Sequence, residues 1–127
     1  AAITHWGEGH SSGIRVDADG PSGPVEKMEL LCADPARVSN SVTAVLTPSG
    51  IDANHFRRIA LNKYNLSLGQ GLGLLAGKVF RIGHLGDLNE PMVLGALATM
   101  ELAMRDAGMP HRPGGVQAAL DALGQTF

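Results

Sequence analysis

The sequence predicts an α+β fold: a small, mainly antiparallel sheet with helices packed on one face. Two short runs, Ser41 to Thr47 and Val79 to His84, have the composition and alternation of strands. The apolar pattern switches to a helical period in three other places. With the apolar run Met28 to Cys32 counted first, the order is β, β, α, β, α, α. A chain of 127 residues can bury one core but not two. Short strands with few crossovers are covered most simply by helices layered on a sheet.

At the start, Ile3 and Trp6 stand three apart, as in the tail of a helix. Gly7 to Pro24 holds five Gly, two Pro and three Ser with no sustained period, and reads as a flexible loop. Asp17-Ala18-Asp19-Gly20 has the opening of a calcium loop. However, Pro21 occupies the third ligand position and no Glu closes the loop, so no metal site is assigned. Residues 1–28 are therefore read as a helix remnant and a Gly/Pro/Ser-rich insertion, and 29–127 as a single domain. The chain opens without a basic or apolar signal segment and reads as the interior of a longer polypeptide.

Asp34-Pro35 marks a turn after the first apolar run. In the next strand Val42, Ala44 and Leu46 share a face, with hydroxyls mostly on the other, and Pro48-Ser49-Gly50 ends it. Asp52 can cap a helix in which Phe56, Ile59, Ala60 and Tyr64 form one face and Arg57, Arg58 and Asn62 lie away from it. The Gly-rich stretch Leu66 to Gly77 is expected to be extended or looped. After the second clear strand, Asn89 as cap, Glu90 and Pro91 start a long helix. Val93, Leu97, Met100 and Met104 form its core stripe, Arg105 suits its C-terminal dipole, and Gly108 can end it. Gly95 in mid-helix costs about 1 kcal/mol relative to Ala, which suggests close packing there. A last helix is expected over Gly115 to Leu123.

Composition excludes several classes. The chain is 44% hydrophobic and 17% charged, and no apolar run is long enough for a membrane span. Ten Lys and Arg against twelve Asp and Glu leave a net charge of -2, without the positive field that nucleic-acid binding needs. Cys32 is the one cysteine and cannot form an internal disulfide, as expected in the cytoplasm. His5, His10, His55 and His111 share no metal-ligand spacing. Gly69-Gln70-Gly71-Leu72-Gly73 lacks the strand–loop–helix context of a dinucleotide loop.

Arg81 is the candidate functional residue. It interrupts an apolar strand whose Phe80 and Ile82 must point to the opposite face. Gly77 and Gly83 flank it, and Gly69, Gly71 and Gly73 precede it in a loop that could come close. A guanidinium with space around it suits a carboxylate gripped by two parallel hydrogen bonds. The pattern alone equally accommodates an Arg that faces solvent. His84, on the opposite pleat, reads as structural, and Lys63 and Lys78 as solvated surface charges.

Tyr64 to Gly73 and Leu75 to Asp87, with Gly77-Lys78-Val79-Phe80-Arg81-Ile82-Gly83 at their centre, resemble class V, fold-type I aminotransferases that use pyridoxal 5'-phosphate. The ending His84-Leu85-Gly86-Asp87 resembles the serine–glyoxylate branch. The likeness runs from about residue 29 to 123 and continues through Pro110-His111-Arg112-Pro113-Gly114-Gly115-Val116. It implies that residues 29–127 are the small C-terminal domain of such an enzyme. It also implies transfer of an amino group from L-serine, or alanine, to glyoxylate, with amino acid and 2-oxo acid as substrates and Arg81 on the α-carboxylate. The cofactor, its Schiff-base lysine, its pyridine-pairing aspartate and its phosphate loop are implied to belong to a large domain of the same enzyme, with a homodimer as the intact form. No catalytic or cofactor-binding residue is assigned in this chain, because none of Lys27, Lys63 and Lys78 reads as the Schiff-base lysine. The chain by itself is then expected to be inactive. Family members pass from a Trp-Gly helix end almost directly into the strand containing Glu29-Leu30-Leu31, whereas here Glu8 to Met28 intervene. The resemblance therefore says nothing about that stretch. The alternative is a stand-alone α+β binding or dimerisation module without catalytic activity.

Overall fold

The computed structural model describes residues 28–32 and 34–125, together with the backbone of 16–17 and 20–21. The expected helix tail at Ile3 and Trp6 lies outside the described residues. Strands β1 (Val16–Asp17) and β2 (Gly20–Pro21) pair antiparallel, with Asp17 opposite Gly20. The stretch read as loop therefore contains a short ladder. Gly, Asp and Pro signal a hairpin as readily as an irregular loop.

The main sheet has four strands, all antiparallel, in the order β3-β4-β6-β5: β3 Glu29–Leu30, β4 Val42–Leu46, β5 Gly69–Gln70 and β6 Val79–Gly83. β5 was expected only as extended or looped chain, and the same Gly-rich stretch also forms a 3-10 turn, Gly73–Leu75. Helix α1 (Ala53–Tyr64) begins where the Asp52 carboxylate accepts from the Asn54 amide at 2.9 Å. It ends on Asn65 in the left-handed region. Helix α2 (Glu90–Ala107) begins with the Asn89 side chain accepting from the Met92 amide at 3.0 Å, and ends on Gly108 at φ 68°. Helix α3 spans Gly115–Gly124.

The helices cover one face of the sheet. Val45 and Phe80 from the strands pack with Phe56 and Ala60 of α1, Met100, Ala103 and Met104 of α2 and Ala119 of α3. The Phe56 and Phe80 rings meet edge to face, with centroids 4.8 Å apart. On the other face Leu46 and Val79, paired across the ladder, are buried with Leu31, Ala44 and Leu75 around them. The Val42-Ala44-Leu46 face of β4 is therefore the face away from the helices.

Two expectations about α2 are corrected. Its buried residues all lie from Met100 onward, whereas Val93 is 37% exposed and Met92 51%. Leu97 still packs half-buried against the core, so of the expected stripe only Val93 lies outside it. At Gly95 a Cβ would meet nothing within 4 Å, so close packing does not explain that glycine. Lys63 is also more than a solvated charge. It is exposed, but its Nζ lies 2.8 Å from Asp106 Oδ2, and the Tyr64 hydroxyl donates to the same oxygen. The contact ties the end of α1 to the end of α2.

Candidate functional site

β6 presents Arg81 on the face opposite the helices, because alternation commits Phe80 and Ile82 to the core side. The register then determines its neighbours. Ala44 of β4 lies on one side and Gly69 of β5 on the other, so both cross-strand partners are small. A Cβ on Gly69 would stand 3.2 Å from Arg81 Cβ and 3.3 Å from its Nε. The arginine arm therefore lies closely against a position where any side chain would crowd it. Neither a Cβ on Gly77 nor one on Gly83 would approach Arg81 as one on Gly69 would. A Cβ on Gly77 would meet Asp52, and one on Gly83 nothing within 4 Å.

Arg81 is half-buried, and its Nε donates to the Gln70 carbonyl at 2.8 Å. Among the described residues, neither Nη group donates a hydrogen bond and no carboxylate pairs with the guanidinium. The free end of the fork is a pair of parallel N–H donors, the geometry that grips a carboxylate. Arg57 shows the contrast. Its Nε donates to the Leu68 carbonyl at 2.8 Å and its Nη1 to Asn54 Oδ1 at 3.0 Å, so its donors serve the fold.

Other titratable groups are engaged structurally. His84 lies with Nδ1 3.2 Å from the Asn40 carbonyl and Nε2 2.8 Å from Thr43 Oγ1, which fixes the ring against β4. Lys63 holds the Asp106 carboxyl below its ordinary range, with Tyr64 assisting, and the hydrogen bond to Asp106 raises both Lys63 and Tyr64. That cluster belongs to the helix layer, across the sheet from Arg81. A mostly apolar groove of about 430 Å³ runs beside β3 and β4, lined by residues that include Leu31, Cys32, Val38 and Val42, and Arg81 does not line it.

The composition near Arg81 suggested a close loop, but not that Gly69 pairs with it or that the Gln70 carbonyl holds it. β5 and β6 are joined by Gly71 to Lys78, which is too long for a tight turn to fix the register from sequence.

No family model matches the chain. Over 119 residues it is 44% identical to an L-aspartate–glyoxylate aminotransferase of Paracoccus denitrificans, covering 91% of this chain and 28% of that one. Over 83 residues it is 54% identical to the serine–glyoxylate aminotransferase of Arabidopsis thaliana, covering 65% and 21%. The homologues of this chain are class V aminotransferases. Two solved structures carry the same fold. The pyridoxamine–pyruvate aminotransferase of Mesorhizobium loti matches with a TM-score of 0.72 at 30% identity, over 81% of this chain and 27% of its own. The ureidoglycine–glyoxylate aminotransferase of Bacillus subtilis matches with a TM-score of 0.69 at 31% identity, over 76% and 25%. The chain thus spans about a quarter of the length of the relatives it matches.

Proposed function

We propose that this chain is the small domain, residues 29–127, of a pyridoxal-phosphate-dependent transaminase that moves the amino group of L-serine to glyoxylate, and that Arg81 binds the α-carboxylate of each acid in turn. The observation that carries the reading is a guanidinium with its Nε anchored on Gln70 and both Nη groups unpaired among the described residues. The relatives named above for glyoxylate as acceptor and for serine as donor support the choice of substrates. The aspartate–glyoxylate relative makes aspartate the competing donor. Alanine is a further donor to test.

No residue of this chain is proposed to hold the cofactor. Lys63 is bound to Asp106 on the helix side, and Lys78 is exposed in the turn before β6. Lys27 lies outside the described residues. In the proposed enzyme a large domain of the same protein holds pyridoxal phosphate, which supplies the electron sink for amino transfer. Leu74, 85% exposed, and Leu85, 81% exposed, flank β6 and support the packing of further protein there. The intact enzyme is proposed to be a homodimer acting in the cytoplasm. The exposed, unpaired Cys32 agrees with a reducing compartment, and no helix among the described residues is long and apolar enough to cross a membrane.

Arg81 contributes binding and orientation. Two hydrogen bonds to one carboxylate fix both the position and the rotation of a small acid, so the bond to be broken is presented the same way at each turnover. The test is steady-state kinetics of the full-length enzyme with L-serine and glyoxylate, followed by hydroxypyruvate formation. Arg81→Ala is expected to weaken use of both substrates about 10- to 100-fold, the scale of one charge-assisted contact. Unchanged kinetics for both would refute the assignment. L-aspartate in place of L-serine tests the other donor by oxaloacetate formation. Chain 1–127 incubated with pyridoxal phosphate is expected to give no borohydride-reducible adduct at a single lysine. Stoichiometric labelling of Lys63 or Lys78 would show that the chain holds its own cofactor.

A further inference from the structure

We infer that Gly69 and the backbone carbonyl of Gln70 are the positioning elements for Arg81, and that they set its strength as a carboxylate anchor. The inference rests on the carboxylate-binding reading of Arg81 and adds residues to it. An arginine arm has many rotamers, and an anchor that must be ordered at each binding event loses affinity to that entropy. Two features remove this cost here. The Gln70 carbonyl takes the Nε proton at 2.8 Å, which leaves only the Nη end of the fork for a ligand. The absence of a side chain at Gly69 lets the arm lie against the edge strand, where a Cβ would stand 3.2 Å from Arg81 Cβ and 3.3 Å from Nε. Contacts that close force the neighbour to give by a few tenths of an ångström, and because Arg81 Cβ is fixed to the strand, the displacement falls on Nε and its hydrogen bond to Gln70.

The same contact holds the strand. A two-residue edge strand is marginal by itself, and β5 is pinned by Arg57 on the Leu68 carbonyl and by Arg81 on the Gln70 carbonyl, one on each side of Gly69. The anchor and its support thus order one another.

The first test uses chain 1–127 labelled with nitrogen-15, in which the Arg81 Nε–H signal is identified by its loss in Arg81→Lys. This proton should exchange with water more slowly than that of the exposed Arg58. Gly69→Ala should speed its exchange about 10-fold. Gln70→Ala keeps the carbonyl and should leave exchange unchanged. The second test uses the full-length enzyme. There Gly69→Ala should raise KM for L-serine and glyoxylate about 10-fold with kcat within about twofold, and add nothing in an Arg81→Lys background. Arg81→Lys without effect on either KM would refute the carboxylate reading and the inference with it. A raised KM in Arg81→Lys beside an unchanged KM in Gly69→Ala would refute the inference alone. Should Gly69→Ala weaken folding, Gln70→Ala still decides. Loss of Nε protection or a raised KM in that variant would assign the support to the Gln70 side chain and overturn the inference.

Discussion

Removing the contact between Phe56 and Phe80 tests whether the helix layer and the Arg81 strand are one cooperative unit. Both rings are fully buried, and they meet edge to face at 4.8 Å and 63°. Truncating either ring to Ala is expected to cost about 3–5 kcal/mol, from lost burial and the cavity left behind. That is a large part of the total stability of about 5–15 kcal/mol typical of a single domain. Leu is the better probe, because it keeps most of the buried apolar side chain and leaves a smaller cavity than Ala. Within a double-mutant cycle of Phe56→Leu and Phe80→Leu, the coupling should be about 0.5–1.5 kcal/mol, the contribution of ring geometry beyond area. Urea unfolding of chain 1–127, followed by circular dichroism, measures each corner. A cycle additive to within about 0.3 kcal/mol would show that the rings do not sense one another, and the reading of the edge-to-face pair as a coupling between α1 and β6 would fail.

The Asp106 cluster should give a pH signature. Its hydrogen bond from Lys63, then that from Tyr64, lowers Asp106 from an ordinary value of 3.8, so the stabilisation is present above that pH and lost as pH falls through the folded value. Lys63 and Tyr64 are raised from 10.5 and 10.0 by their hydrogen bonds to Asp106, so their share is present below those values and lost as pH rises through the folded ones. Urea midpoints of wild type and Asp106→Asn should differ most between these limits and converge beyond them, and a difference constant from acid to alkali would contradict the geometry. Two glycines should respond oppositely in thermal melts. Gly95→Ala, with open space around it, should raise stability by up to about 1 kcal/mol. Gly71→Ala would put a Cβ 2.3 Å from the Leu75 carbonyl oxygen, and should destabilise the chain or displace the 3-10 turn.

The elements that the sequence made legible are those whose signals are local. Asp52 and Asn89 start helices where a side-chain acceptor is needed, and Gly108 ends one where a left-handed residue is needed, each as the sequence signals. The alternation that separates Arg81 from Phe80 is likewise contained within one strand. Features that depend on distant chain were not legible. The stripe Val93 to Met104 has an even helical period, but its burial fades from Met100 through half-buried Leu97 to exposed Val93, and periodicity does not report how far a neighbouring helix extends. Lys63 finds Asp106 forty-three residues away, a pairing no spacing rule anticipates.

Arg57 and Arg81 show where the boundary lies for the site itself. Each sends its Nε to a carbonyl eleven residues away at 2.8 Å, and the two carbonyls flank the same glycine. By composition and by that first hydrogen bond they are alike. They differ in what remains at the tip of the fork, because Asn54 takes a terminal donor of Arg57 and nothing among the described residues takes one from Arg81. Ala44 and Gly69 beside Arg81 have no side-chain acceptors, so the sheet supplies no partner from either neighbouring strand. A fork held at its base and unpaired at its end among the described residues keeps its hydrogen-bonding capacity while its arm is restrained, which is the arrangement the proposed carboxylate role requires.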